Sequence, residues 1–361
     1  MGSAVHPRPE TVPRRPVTHL LTAPGRSTPT RLLASLLALV ACVVLAACGS
    51  SDSAGKDDGT GTRTYTDARG QRLELPARPQ RVVALSEPTL DAALALGVRP
   101  IGATAGRGQG TISAYLQRRA GKLASVGILG QPNIERIAAL RPDVILIDGT
   151  ATPDDSIVDK LKAFAPTVFV SKNGGDWKTA FAATADILGR KDEGAKLLKD
   201  YDARVADIRS RLGENARAEV SIVRWGGIGL PAVLKSELAA PRVLADLGLQ
   251  RPAFQRGRGP GHTVPVSLER IDALDGDWIF FGALGAGGAG GGVSETPADV
   301  ESAKEAIGYA KDTPGFTDLK AYKAGHVVPV DGSAWTSAGG YLAEQVVLDD
   351  VERALTGAAT R

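Results

Sequence analysis

Two stretches of this chain repeat each other: IERIAALRPDVILID (134–148) and LERIDALDGDWIFFG (268–282) align without a gap. They share Glu135/Glu269, Arg136/Arg270, Ile137/Ile271, Ala139/Ala273, Leu140/Leu274, Asp143/Asp277 and Ile145/Ile279. Each begins with apolar residues at helical spacing and ends in a short apolar run entered through an Asp, the pattern of a helix that feeds a strand. A looser echo precedes each copy, LALGVRP (94–100) and LADLGLQRP (244–252), and places Leu-Gly at a helix end. Any two helix-to-strand units share some core-facing periodicity. Two echoes in the same order are better explained by two similar α/β lobes in one chain.

The segments between support that reading. RVVAL (81–85), RPIGAT (99–104), DVILID (143–148) and TVFV (167–170) are short and nearly all apolar, and helical patterns separate them. Pro88 stands at the start of one such helix and Gly97 at its end. Strands without polar alternation belong to parallel sheets covered on both faces. Between the lobes, residues 176–213 place Trp177, Phe181, Ile187 and Leu188, then Leu197, Leu198, Tyr201, Val205, Ile208 and Leu212 at helical spacing. Gly189 and Gly194 are expected to divide this stretch into a short and a long helix. The longer piece would span roughly 30 Å and permit only a small hinge between the lobes.

The amino-terminal stretch is of another kind. Arg31 precedes an apolar run, Leu32 to Ala47, that is short for a membrane span of roughly 20 residues. A basic region, an apolar run and small residues at its end mark a secretory signal. Leu45-Ala46-Ala47-Cys48 resembles the bacterial lipobox, in which the Cys is lipidated and the chain is cut before it. The expectation is a lipoprotein signal at 1–47, a lipid on Cys48 and a flexible tether over 48–62, where GSSDSAGKDDGTGT cannot bury a core. Arg14-Arg15 lies too far upstream of the apolar run for a twin-arginine signal. Cys42 and Cys48 are the only cysteines, so the mature chain has no disulfide and relies on a large core. Residues 1–47 also hold Arg8, Arg14, Arg15, Arg26 and Arg31 against Glu10 alone, so the formal +3 of the whole chain falls to −1 once they are removed. Neither that balance nor any basic run points to nucleic acid.

The chain resembles the substrate-binding proteins of ABC importers for ferric siderophores and cobalamin. The matching stretches are RVVALSEPTLDAALALGVRPIGA (81–103), VGILGQPNIERIAALRPDVILID (126–148), VSIVRW (220–225), PRVLADLGLQRP (241–252), VSLERIDALDGDWIFF (266–281) and AWTSAGGYLAEQVVLDDVERAL (334–355), in family order. The resemblance implies an N-terminal lobe (63–175) and a C-terminal lobe (214–361) with mainly parallel sheets, joined by a long rigid helix (176–213), and a ligand cleft between the lobes. It also implies a monomer on the outer face of the cytoplasmic membrane that hands a ferric siderophore to a permease and its ATPase. The iron-siderophore branch is the nearer in flavour; cobalamin or haem is the alternative ligand.

Candidate site residues follow. Arg224 lies at the end of the strand EVSIVRW, and a guanidinium donates several hydrogen bonds to anionic chelate oxygens while staying charged; the resemblance adds that an Arg there contacts the chelate. Trp335 precedes the last helix, where relatives carry a ligand-facing aromatic. Trp225, Arg107 in AGRGQG and Tyr115 are further candidates. Where some hydroxamate binders have an Arg, this chain has Leu129, so lobe 1 offers no evident basic partner for Arg224. Docking on the permease is expected through an acid on each lobe: Asp91 matches on lobe 1, whereas lobe 2 has Arg242 at the matching position and Glu237 nearby. An enzyme on this fold is the reading from a different class. His262 and His326 are the only histidines after the leader, and the chain has no G-x-S-x-G elbow or H-E-x-x-H pair. No metal held directly by side chains is expected; iron would arrive inside its chelator. GALGAGGAGGGVSE (282–295) lacks the G-K-[ST] ending of a phosphate loop and reads as a surface loop.

Overall fold

The computed structural model describes residues 61–149, 154–172, 176–226, 230–258, 262–284 and 297–357. The leader, Cys48, most of the tether and nearly all of the glycine-rich run at 282–295 lie outside the described residues. Lys56–Arg361 forms one compact unit. It opens with an antiparallel hairpin that the sequence pattern did not announce, β1 (Thr62–Thr66) and β2 (Arg72–Pro76), in which Thr62 already pairs with Pro76. The Asp67 carboxylate holds its turn by accepting from the backbone N–H of Arg69 and Gln71 at 2.9 and 2.8 Å.

Lobe 1 runs β3 (Val82–Ala84), α1 (Glu87–Ala95), β4 (Gly102–Ala103), α2 (Ala114–Ala120), β5 (Ala124–Ser125), a small hairpin β6 (Gly127–Ile128) and β7 (Gln131–Pro132), α3 (Ile134–Leu140), β8 (Val144–Ile147), α4 (Asp155–Lys162) and β9 (Thr167–Phe169). Its sheet is parallel throughout, in the order β5-β4-β3-β8-β9. Alternation explains the all-apolar strands. Val82, Ala84, Val144 and Leu146 enter one core, with α1 residues such as Leu90 and Ala93; Val83, Ile145 and Ile147 enter the other, with Ile137 of α3 and Leu161 of α4.

Two helices follow, α5 (Trp177–Ile187) and α6 (Lys191–Arg211), the latter 21 residues and about 31 Å long. The break falls at Gly189, at φ +65°, and Gly194 does not interrupt α6 as expected. Gly194 matters for packing instead. A Cβ there would stand 2.5 Å from the Ala185 Cβ, so its bare backbone lets α6 lie close on α5.

Lobe 2 runs β10 (Val220–Gly226), β11 (Leu230–Leu234), α7 (Ala239–Asp246), β12 (Thr263–Pro265), β13 (Trp278–Leu284), α8 (Val300–Ala310), α9 (Lys320–Lys323), β14 (Val327–Val330), α10 (Gly332–Trp335) and α11 (Tyr341–Thr356). The sheet order is β12-β11-β10-β13-β14; β10, β13 and β14 are parallel, whereas β11 and β12 are antiparallel additions at one edge. The second copy of the repeat enters β13 through 3₁₀ turns at Leu268–Leu274, kinked at Arg270, and not through an α-helix.

The repeated residues turn out to be architectural. Asp143 accepts from the backbone N–H of Gln80 and Arg81 at 2.7 and 3.0 Å, just before β3. Asp277 accepts from Glu219 N–H at 2.7 Å, just before β10. In both lobes the shared Asp thus ties the start of one strand to its parallel neighbour. The Leu-Gly echo is equally structural: Gly97 and Gly248 have φ +74° and +79°, and Val98 and Leu249 N–H donate back to Ala93 and Leu244 C=O at 2.9 Å, the same left-handed helix end twice.

The lobes share material. α11 packs against α1 and α2 of lobe 1, α7 of lobe 2 and the connecting helices, and one buried core runs from Leu90 and Phe181 to Val220, Phe280 and Val347. Arg204 and Arg211 of α6 pair with Glu352 of α11 at 3.1 and 2.8 Å. None of the described helices is long and apolar enough to cross a membrane.

Candidate ligand cleft

Arg224 occupies the middle strand of lobe 2, in register with Ala232 and Gly282. It shares a face with Val220 and Ile222, whose side chains enter the core common to both lobes, while its neighbours Val223 and Trp225 enter the outer core of lobe 2. Arg224 is therefore sent toward lobe 1. There it meets Arg107 and Glu87: burial first, and then the Arg107 charge, bring its guanidinium down to about 10, with the Glu87 carboxylate acting the other way. It remains a full cation at neutral pH, and it forms no salt bridge with the described residues.

Arg107 stands in a tight loop after β4, where Gly106 N–H donates to Thr111 C=O and Gln109 N–H to Gly106 C=O at 2.9 and 3.0 Å. The expectation that lobe 1 lacks a basic partner for Arg224 is thus corrected. The partner comes from this loop and not from the segment that holds Leu129, in the turn between β6 and β7. A cavity of about 550 Å³ adjoins the loop, lined by Ala103, Ala105, Thr111, Ile112, Gln117 and Lys122 among others.

Glu87, in the first turn of α1, joins the lobes. Its two oxygens accept from Ser113 Oγ of lobe 1 and Ser337 Oγ of lobe 2. Nothing in the sequence singled it out, since an acid in a first helical turn is ordinary. His262 and Lys235 lie within electrostatic reach of one another, and His262 also of Arg107 and Arg224. A count of histidines against metal and catalytic motifs could not reveal that proximity. No His, Cys, Asp and Glu cluster able to hold a metal ion occurs among the described residues.

Three expectations are overturned by burial. Trp335 is 0% exposed, stacks on Phe280 at 4.3 Å and donates from Nε1 to Asp350 at 2.8 Å, so it is a core residue and does not face the cleft. Trp225 lies against Phe281 at 5.4 Å in the outer core, on the face opposite Arg224. Asp91 is 0% exposed and cannot meet a permease: its oxygens accept from the backbone N–H of Leu342 and Ala343 at 2.8 and 3.0 Å, at the start of α11. Tyr115 is partly buried, but its hydroxyl is enclosed beside Asp91, where burial and that carboxyl push it well above the phenol range. Of the docking acids only Glu237 is partly exposed, and Arg242 beside it pairs with Asp176 at 3.3 Å.

With this geometry in view, comparison with known proteins is direct. The sequence profile described as periplasmic binding protein matches residues 82–334. A probable siderophore-binding lipoprotein of Bacillus subtilis, YfiY, is 32% identical over 87% of this chain and 94% of its own length. The Fe(3+)-citrate-binding protein YfmC of the same organism is 26% identical over 87% and 93%. Among solved structures, Staphylococcus aureus SirA complexed with staphyloferrin B superposes with a TM-score of 0.66 at 25% identity, covering 81% of this chain and 98% of that one. Two α/β lobes, a long connecting helix and this match across most of the sequence lead to one conclusion: the chain belongs to the periplasmic binding protein family.

Proposed function

We propose that this chain is the lipid-anchored binding component of an ABC importer, capturing a ferric siderophore between its lobes and delivering it to the permease. The observation that carries the reading is that Arg224, sent from the middle strand of lobe 2 toward lobe 1, lies within electrostatic reach of Arg107 on the lobe 1 loop. Holding two cations together across a cleft costs energy in the empty protein, and an anionic chelate oxygen placed between them would turn repulsion into two sets of charge-assisted hydrogen bonds. The names of YfiY, YfmC and the SirA complex support iron chelates as the ligand class. The cavity beside the Arg107 loop falls within the roughly 300–1,000 Å³ typical of small-ligand sites and would take an organic arm of the ligand. The protein works as a monomer and a carrier, binding without turnover. It is held at the outer face of the membrane through lipid on Cys48.

Titration of residues 49–361 with ferric citrate, a ferric trihydroxamate and a ferric triscatecholate, read by tryptophan fluorescence, tests this. Saturable quenching by one of them, at least tenfold weaker in Arg224→Ala, is the expected result. No binding of any by the folded protein overturns the siderophore reading. Cys48→Ser should abolish incorporation of labelled palmitate and release the chain from membranes.

A further inference from the structure

Two carboxylates one turn apart on α1 grip the same stretch of chain from lobe 2, at different depths. α1 starts just after β3, so Glu87 stands at the carboxyl end of that strand, the edge on which open α/β sheets build their clefts. Asp91 lies about 6 Å further along the helix, where its hold on Leu342 and Ala343 N–H fixes the start of α11. Between the two grips the chain runs through Gly339 and Gly340. A Cβ on Gly339 would run into Ala239 of α7, and one on Gly340 into the Asp91 carboxyl, so the bare backbone is clasped between a helix of lobe 2 and a helix of lobe 1.

At the cleft end the grip reaches both lobes at once. One Glu87 oxygen accepts from Ser337 Oγ, just before that glycine pair, and the other from Ser113 Oγ, at the close of the loop that bears Arg107. The loop folds tightly on this contact: a Cβ on Gly106 would run into Ser113 Oγ and stand 2.8 Å from Gln109 Nε2 and 3.1 Å from Glu87 Oε1. Glu87, Ser113 and Ser337 are all buried, so water does not compete for the bridge. A carboxylate beside a cleft that takes an anion opposes the ligand's charge. Its contribution is therefore mechanical. We propose that Glu87 is a positioning residue for capture of the chelate, tying the Arg107 loop of lobe 1 to the Ser337 segment of lobe 2 so that the cleft keeps one width before the ligand arrives. The cost of ordering the two faces then falls on folding and not on binding. This inference rests on the siderophore reading above.

Substituting Glu87 would change charge and bridge together, so the test removes its uncharged partners. Residues 49–361 contain no cysteine, which lets spin labels be placed at Lys160→Cys on α4 and Lys304→Cys on α8, exposed positions on the two lobes. Pulsed electron paramagnetic resonance reads the distribution of distances between the labels, and tryptophan fluorescence reads binding of the diamagnetic gallium(III) complexes of citrate, a trihydroxamate and a triscatecholate. The expected result is a wider distribution in ligand-free Ser337→Ala than in the labelled parent, narrowed again by the complex that binds. Affinity should fall about threefold or more in Ser113→Ala and in Ser337→Ala, and the double variant should be no weaker than the weaker single, since either loss parts the Arg107 loop from Ser337. A width in Ser337→Ala equal to the parent's, single variants that bind as the parent does, or losses that multiply in the double variant overturn this inference and leave the siderophore reading standing. Failure of all three complexes to bind the parent overturns both.

Discussion

Single positions divide cleanly by what they face. Arg224 and Trp225 are neighbours in sequence, yet strand geometry sends one toward lobe 1 and the other into the outer core. Their substitutions should separate accordingly. Arg107→Ala and Arg224→Ala are expected to weaken binding of a ferric chelate at least tenfold each, with melting temperature almost unchanged. Trp335→Ala should behave in the opposite way. Loss of a buried indole, its stack on Phe280 and its bond to Asp350 costs about 3–5 kcal/mol, read by urea unfolding, whereas Trp335→Phe should retain affinity for the chelate. A strand ending in Arg-Trp was legible as a candidate; which of the two side chains is sent toward the other lobe depended on the sheet's two faces being differently covered.

At the scale of an element, α11 owes its placement to a residue 251 positions earlier. Asp91 satisfies two of its unpaired N-terminal N–H groups and lies against the positive end of its dipole. Asp91→Ala leaves those N–H groups buried and unsatisfied, and should cost on the order of 2–4 kcal/mol in unfolding free energy. Asp91→Asn keeps one acceptor and should cost about half as much. From the sequence the same residue is expected to dock on the permease, because helical spacing reports periodicity on one helix and not what later packs upon it. The turn glycines were legible for the converse reason. Gly97 and Gly248 answer a demand made by the local backbone, and Gly248→Ala is expected to cost about 1 kcal/mol through its φ of +79°.

Across the whole molecule, the shared core encloses an unusual group of acids. Burial raises Asp91 to about 7 and Asp331 to about 6, and carries Glu344 well above the carboxylate range, with the Asp91 charge adding to it. Neither Glu344 oxygen has a hydrogen-bond partner among the described residues. The unfolded chain releases these protons near pH 4, whereas the folded protein keeps them to higher pH. Between those limits the native state binds more protons, so these groups make stability fall as pH rises from about 4 to 7. Glu344→Gln should therefore raise the melting temperature at pH 8 by several degrees and leave it nearly unchanged at pH 5, a comparison for calorimetry. The sequence by itself determined two α/β lobes, the repeat that ties strand starts together and the helix between them, since periodicity, turn chemistry and helix ends are written in residues close along the chain. Only the tertiary structure decided that Arg107 and Arg224 lie within electrostatic reach of one another, that Asp91 is buried at the start of α11 and not open to a permease, and that α11 belongs to both lobes. Those outcomes depend on contacts between segments more than a hundred residues apart, where burial and field are set by partners that no local pattern names.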